Sequence, residues 1–392
     1  MQFGIVLLCI AYILSQFFRS FLAVLAPSLA ADIGMSVDDL ALASGLWFLA
    51  FSLMQIPVGE ALDRIGPKFT AVVLFFLGAG GGALMFAMAT LPWHVCVAMM
   101  LIGIGCSPVL MASYYIFSRE YPPAAFATLA SIMIGVGSLG NLAGSTPLSM
   151  LVEAIGWRAT MGSLSVAAVI ISVGLLFLVK NPKALETTEK GSFLDLLKLP
   201  ALWPILPLML VNYAPAAGLR GLWVGPYMVD TYQADTASGG TATLVMSLAM
   251  IVGTFAYGPL DRLFGTRKWV IIGGNGLGFV CLAALYAMTD VSYWTAVALF
   301  SAVAFFGMSY PMMVAHGKSF APVHLSGRGV TLMNLFAIGG VGIMQVITGR
   351  IHQASLNAGL TGGDLYSSLF LFYAVLIGLG VVLYVFAQDN MK

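Results

Sequence analysis

The turn 59-GEALDRIGPK-68 separates two long apolar runs, and a second version of it, 258-GPLDRLFGTRK-268, separates two more. Asp63-Arg64 and Asp261-Arg262 stand 198 residues apart in a chain of 392, and each pair is followed by a glycine and a basic residue. A charged turn that recurs at half the chain length marks a duplicated unit.

Outward from these turns, the apolar runs set the class. A spanning helix needs about 20 apolar residues. Twelve such stretches lie near 3–28, 40–59, 69–90, 93–117, 125–150, 158–179, 202–229, 239–260, 269–289, 292–316, 329–350 and 364–387. Hydrophobic residues make up 60% of the chain and charged residues 8%, against about a quarter charged in soluble domains. Too little polar surface is left to coat a soluble globule. The reading is an all-α integral membrane protein with twelve transmembrane helices in two pseudo-symmetric halves. An N-terminal six-helix bundle covers 1–180, a cytoplasmic linker 181–199, and a C-terminal six-helix bundle 200–392.

Positive residues collect on the cytoplasmic side of membrane proteins. With the N-terminus inside, the cytoplasmic loops hold Arg64, Lys68, Arg119, Lys180, Lys183, Lys190, Lys198, Arg262, Arg267, Lys268, Lys318, Arg328 and Lys392. The opposite loops hold only Arg158 and Arg350. Both termini are therefore expected in the cytoplasm. No basic tract suggests nucleic acid. Cys9, Cys96, Cys106 and Cys281 lie in apolar runs without a CxxC pair and read as small apolar filler.

The turn between spans 2 and 3 resembles the signature of the major facilitator superfamily, through Gly59, Asp63, Arg64, Gly66 and Lys68. The second copy, with Asp261 and Arg262, is a looser match because Phe264 adds a residue before Gly265. The resemblance implies a secondary transporter working by alternating access, with both turns latching the cytoplasmic gate. The alternative is a topological anchor, which Asp63 and Asp261 would weaken. The stretch 135-GVGSLGNLAGSTP-147 partly resembles a glycine-rich antiporter motif, but its Gly140–Gly144 pair is explained by helix packing alone.

Two arginines lie inside spans, Arg19 in the first span of one half and Arg220 in the first span of the other, 201 residues apart. An arginine near a helix centre costs about 2.5–3.5 kcal/mol on insertion scales and usually faces a wet cavity. Tyr12, Ser15, Gln16 and Arg19 share one helical stripe; Tyr213, Arg220, Trp223 and Tyr227 share another. The superfamily pattern implies that both stripes line a central cavity with the arginines opposed. No Asp or Glu occupies the middle of any span. Guanidinium forks suit carboxylate, phosphate or paired carbonyls, so the ligand is expected to bring negative charge or acceptor oxygens. Arg19, Arg220, Trp223, Tyr227, Tyr213, Gln16, Tyr114 and Asn141 are the expected substrate contacts. The other reading of each arginine is a cap on backbone carbonyls at a helix break.

The stretches 18-FRSFLAVLAPSLAADIG-34, 54-MQIPVGEALDRIGPK-68, 221-GLWVGPYMVD-230 and 246-MSLAM-250 also resemble a proteobacterial branch containing riboflavin and copper importers. That likeness implies the bacterial inner membrane and favours import. Met246 and Met250 share a helix face and would suit Cu(I), but copper members carry an additional His-xxx-Met pair that is absent here. His94, His316, His324 and His352 are read at span ends or in loops. Riboflavin is the favoured substrate, with an organic anion (carboxylate or phosphate ester) and copper as alternatives. No HExxH or GxSxG occurs, so an enzyme is not expected, nor is a cofactor. A non-transporting membrane sensor is the alternative of another class. The expected partners are a small-molecule substrate and the lipid bilayer, and the chain is expected to act as a monomer.

Overall fold

The computed structural model describes residues 2–121, 123–182, 193–322 and 326–390. Lys183, Lys190, His324 and Lys392 lie outside the described residues, as do the side chains of Asp63 and Arg328. The chain divides into two compact units, Met1–Glu186 and Thr187–Lys392.

In the first unit, α1 is a bent pair, Phe3–Phe17 and Leu22–Ile33, followed by α2 (Val37–Leu62), α3 (Pro67–Ala87) and α4 (Pro92–Glu120). Helix α5 spans Pro123–Ala143, and α6 spans Thr146–Leu178. The second unit holds α7 (Pro200–Tyr232), α8 (Ser238–Phe264), α9 (Lys268–Ala287), α10 (Tyr293–Lys318), α11 (Gly329–Asn357) and α12 (Asp364–Tyr384). Among the described residues ten of these are long and apolar enough to cross a membrane, and the bent α1 brings the number to eleven. Helix α5 contributes a shorter apolar segment, Ile132–Ala143.

Two of the expected spans are not single rods. Helix α1 bends by 54°, where Arg19 N–H bonds Gln16 O and Ser20 N–H bonds Phe17 O three residues back. Helix α6 would be about 50 Å long as one rod, well beyond a bilayer core of about 30 Å. It turns at Gly156, whose φ of 77° is open to glycine. The turn divides it into two helical segments, the second beginning at Trp157.

Each unit joins its first and fifth helices in the same way. A Cβ on Gly140 of α5 would sit 1.9 Å from Ile13 O of α1, and one on Gly340 of α11 would sit 1.8 Å from Leu210 O of α7. Backbones approach so closely only where the side chain is absent. Gly144 packs on the Ser20 hydroxyl, so the Gly140–Gly144 pair is a seat for the bend in α1. Val58, Leu62, Ala71 and Ala112 form an apolar core beneath the first charged turn.

Candidate functional site

In the first unit, Arg19 stands on the break in α1. Its guanidinium lies over the Phe51 ring at 4.7 Å and the Trp47 ring at 5.5 Å, both from α2. Among the described residues no carboxylate pairs with it. Among the described residues its Nε is buried without a hydrogen-bond partner, as are Trp47 Nε1 and Asn141 Oδ1, while Ser15 stands against Cys106. Gln16 Nε2 donates to Tyr12 OH at 2.7 Å. Tyr114 lies within electrostatic reach of Tyr12, and Cys106 within reach of Arg19. Arg19, Gln16 and Tyr114 are thus gathered around α1. The break itself was not visible in the sequence, because hydropathy carries no record of which carbonyl an N–H selects.

In the second unit, Arg220 is 1% exposed and sits on a π-helical turn, Leu219–Trp223. Such turns are frequent at functional sites, and the first unit carries another at Phe75–Gly80. Its Nη1 reaches Ser247 Oγ on α8 at 3.5 Å, the outer limit of a hydrogen bond. Trp223 donates its indole N–H to Gln345 Oε1 and Thr348 Oγ1 of α11, each at 3.1 Å. Tyr227 meets Phe300, Tyr366 and Phe370 edge-on at 5.1, 5.2 and 5.8 Å. Both rings are buried in an aromatic core. Tyr213 is tilted on Tyr310 at 5.1 Å, and Tyr310 OH bonds Asn334.

The sequence reading placed His316 and His352 at span ends or in loops. His316 lies in the last turn of α10, at the span end as expected, whereas His352 lies inside α11; both are buried. Helix α11 runs seven residues past the expected end at 350, because 350-RIHQASLN-357 is polar in composition yet remains helical. Met246 and Met250 are buried in α8. Among the described residues no group of three or more His, Cys, Asp or Glu is placed to hold a metal ion.

The charged turns are built differently from each other. Arg64 pairs with Glu60 at 2.8 Å on the exposed end of α2. Gly66 has φ 98°, and a Cβ there would meet the Asn181 amide at 2.8 Å. Asn181 Oδ1 accepts from Lys68 N–H at 2.9 Å, capping α3. In the second copy Asp261 pairs with Arg267 Nε at 3.1 Å, while Arg262 is exposed. Asp389 takes the part of Asn181: it accepts from Thr266 Oγ1 at 2.5 Å and from the N–H groups of Arg267 and Lys268 at 3.3 and 3.2 Å. Burial raises the Asp389 carboxyl, but these hydrogen bonds outweigh it and hold it below the usual carboxylate range. A Cβ on Gly59 meets nothing within 4 Å. Asn181 and Asp389 were missed; their only sequence signal is that each is a capping-type residue shortly after the sixth or twelfth span.

The family model for the Major Facilitator Superfamily matches residues 8–222, more than half of the chain. The chain belongs to the Major Facilitator Superfamily. It is a secondary transporter of this superfamily, a multi-pass membrane protein, and not an enzyme. "Uncharacterized transporter YybO" of Bacillus subtilis (strain 168) is 22% identical over 97% of this chain and 92% of its own length. An Escherichia coli (strain K12) protein named for L-galactonate transport is 23% identical over 69% of this chain and 62% of its own. The crystal structure of a D-xylose-proton symporter superposes with a TM-score of 0.77 at 14% identity, covering 98% of this chain and 97% of that one. This superfamily fold is shared across very different sequences.

Proposed function

We propose that this transporter moves a small organic anion of the sugar-acid type, with Arg19 and Arg220 as the anion-binding residues of their respective units. The observation that carries this reading is the charge in the middle of the spans: Arg19 and Arg220, with no Asp or Glu there. A bound anion would offset the cost of holding the arginines away from bulk water. The orphaned polar atoms near the α1 break, Arg19 Nε and Asn141 Oδ1, suit hydroxyl groups on the same ligand, with Gln16 and Tyr114 beside them. The relative named for L-galactonate transport supports this class. Riboflavin is implied by the branch resemblance. It is kept as one arm of the test, and copper as another.

The distribution of its basic loops supports an orientation with both termini cytoplasmic, and the branch resemblance supports a bacterial inner membrane, where the protein is taken to act as a monomer. The turns at Asp63-Arg64 and Asp261-Arg262 act as cytoplasmic gate elements, the second through Asp261 and Arg267.

The test is exchange of labelled L-galactonate, glucuronate, tartrate, riboflavin and Cu(I) in proteoliposomes. A sugar acid should exchange, and Arg19→Gln and Arg220→Gln should each slow it about tenfold or more, the worth of a charge-assisted hydrogen bond. Exchange of riboflavin or copper alone would replace the anion reading. Exchange of nothing would favour the sensor.

A further inference from the structure

Arg220 sits on a turn that is wider than an α-helical one, Leu219–Trp223. A π-helical turn takes in an extra residue and survives only as a short piece. Relaxing it to plain α register would rotate the residues on one side by about 100° against those on the other. The direction of the guanidinium therefore depends on what holds the turn open.

Gln345 of α11 meets both ends of that turn. Its Nε2 donates to Gly218 O, just before the turn, at 3.2 Å. Its Oε1 accepts from the indole N–H of Trp223, the last residue of the turn, at 3.1 Å. One amide thus clasps the backbone two residues before Arg220 and the side chain three residues after it. Gln345, Gly218 and Trp223 are all buried. A buried amide stripped of its partners bears the desolvation cost of both its ends, so the clasp and the turn stabilise each other. An apolar side chain of similar size would fill the place without that cost.

Neighbouring contacts fix the amide in its turn. Thr348, about one turn further along α11, accepts from the same indole N–H at 3.1 Å and donates to Gln345 O at 3.0 Å. Gly218 leaves room for the approach: a Cβ there would lie 2.7 Å from Tyr373 OH and 3.5 Å from the Gln345 amide. Gly340, on the same helix as Gln345, lies against Leu210 O of α7. Helix α11 is therefore seated on α7 from Leu210 to Trp223, and Gln345 stands where α7 leaves α geometry. Arg220 sends its Nη1 to Ser247 of α8, and the hold that Gln345 exerts on it runs through the backbone of the turn.

We propose that Gln345 is a positioning residue of the anion site: by clasping Gly218 and Trp223 it sets the direction in which Arg220 presents its guanidinium, and with it the preference of the second unit for a carboxylate. This rests on the anion reading. The amide acts through the turn and not by touching the solute.

The test uses the full-length protein in proteoliposomes. Exchange of labelled L-galactonate gives KM and kcat, and competition by its uncharged lactone gives the preference for the charge. Gln345→Met keeps the volume and removes both bonds. Thr348→Val removes one bond to Trp223 and leaves the link to Gly218. The wild type should prefer the acid. Gln345→Met should lower that preference about tenfold, the order of one charge-assisted hydrogen bond, through a higher KM for the acid with competition by the lactone little changed. Thr348→Val should keep most of the preference. In an Arg220→Gln background, Gln345→Met should change the preference no further. Should Gln345→Met not reach the membrane folded, Gln345→Asn, one methylene too short to reach both ends, is read in its place with the same expectations. A wild type that does not exchange the acid, or does not prefer it to the lactone, overturns the anion reading and this inference with it. A wild type that prefers the acid beside a Gln345→Met that prefers it as strongly overturns the positioning role alone. Equal losses for acid and lactone make Gln345 a packing residue and also overturn the proposal. A further loss of preference in the Arg220→Gln background makes Gln345 a direct contact of the solute and overturns it as well.

Discussion

At the scale of single residues, the chemistry is set by side chains whose partners come from far along the chain. Asp389 is the clearest case. Its carboxylate caps the start of α9 at the turn after the second charged motif, using Thr266 and two backbone N–H groups. Its folded proton affinity is depressed, so its stabilisation is complete above the unfolded aspartate value of about 4 and is lost as pH falls through the lower folded value. Asp389→Ala should lower the stability of the second unit by about 1 kcal/mol, the usual worth of a helix cap. Denaturation at pH 7 and again near pH 2.5 checks this: the wild-type advantage should be present at the first and shrink at the second. An equal advantage at both would remove the cap. Neither Asn181 nor Asp389 was legible as a cap, because the helices they serve begin 113 and 121 residues earlier at Lys68 and Lys268. The embedded arginines were legible, since a charge in an apolar run is conspicuous by composition alone.

At the scale of helices, the apolar runs located each crossing, because burial in lipid forces backbone groups to pair within the segment. What they did not carry was the shape of each helix. The break in α1 at Arg19, the π-helical turn at Arg220 and the turn at Gly156 are changes in hydrogen-bond register and dihedral angle. An average over twenty side chains does not record them. The polar end of α11 misled in the opposite sense and hid His352. Close packing was legible at Gly140, where the sequence pairs it with Gly144, and less so at Gly340. Because a Cβ at either site would lie within 2 Å of a carbonyl oxygen, Gly140→Ala and Gly340→Ala should each push first and fifth helices apart within a unit. The folded yield in detergent should drop, with a loss above the ~1–3 kcal/mol typical of overpacking. Size-exclusion profiles at matched expression check this, and wild-type profiles for both variants would mean that the helices separate at little cost.

At the scale of the whole molecule, the repeat was legible in the two charged turns, and it extends to features that the sequence does not advertise. Lys68 and Lys268 each open a helix capped by a residue that follows the last helix of the same unit. The two units differ where charge matters: an amide caps the first, a carboxylate the second, and Asp261 pairs with Arg267 in the same turn. Arg158, an exception to the inside bias of basic residues, donates to Ala89 O at 2.6 Å and Ala87 O at 3.2 Å, so its charge caps the end of α3. The solute is the part that the fold leaves least determined, because sites are grafted onto a shared architecture. The central claim is that the embedded arginines select a carboxylate. The most direct measurement is competition between L-galactonate and its uncharged lactone for exchange in proteoliposomes, in the wild type and in Arg220→Gln. The account predicts that the acid competes at least about tenfold better than the lactone in the wild type, and that the variant erases the difference. Equal competition by acid and lactone in the wild type would contradict it.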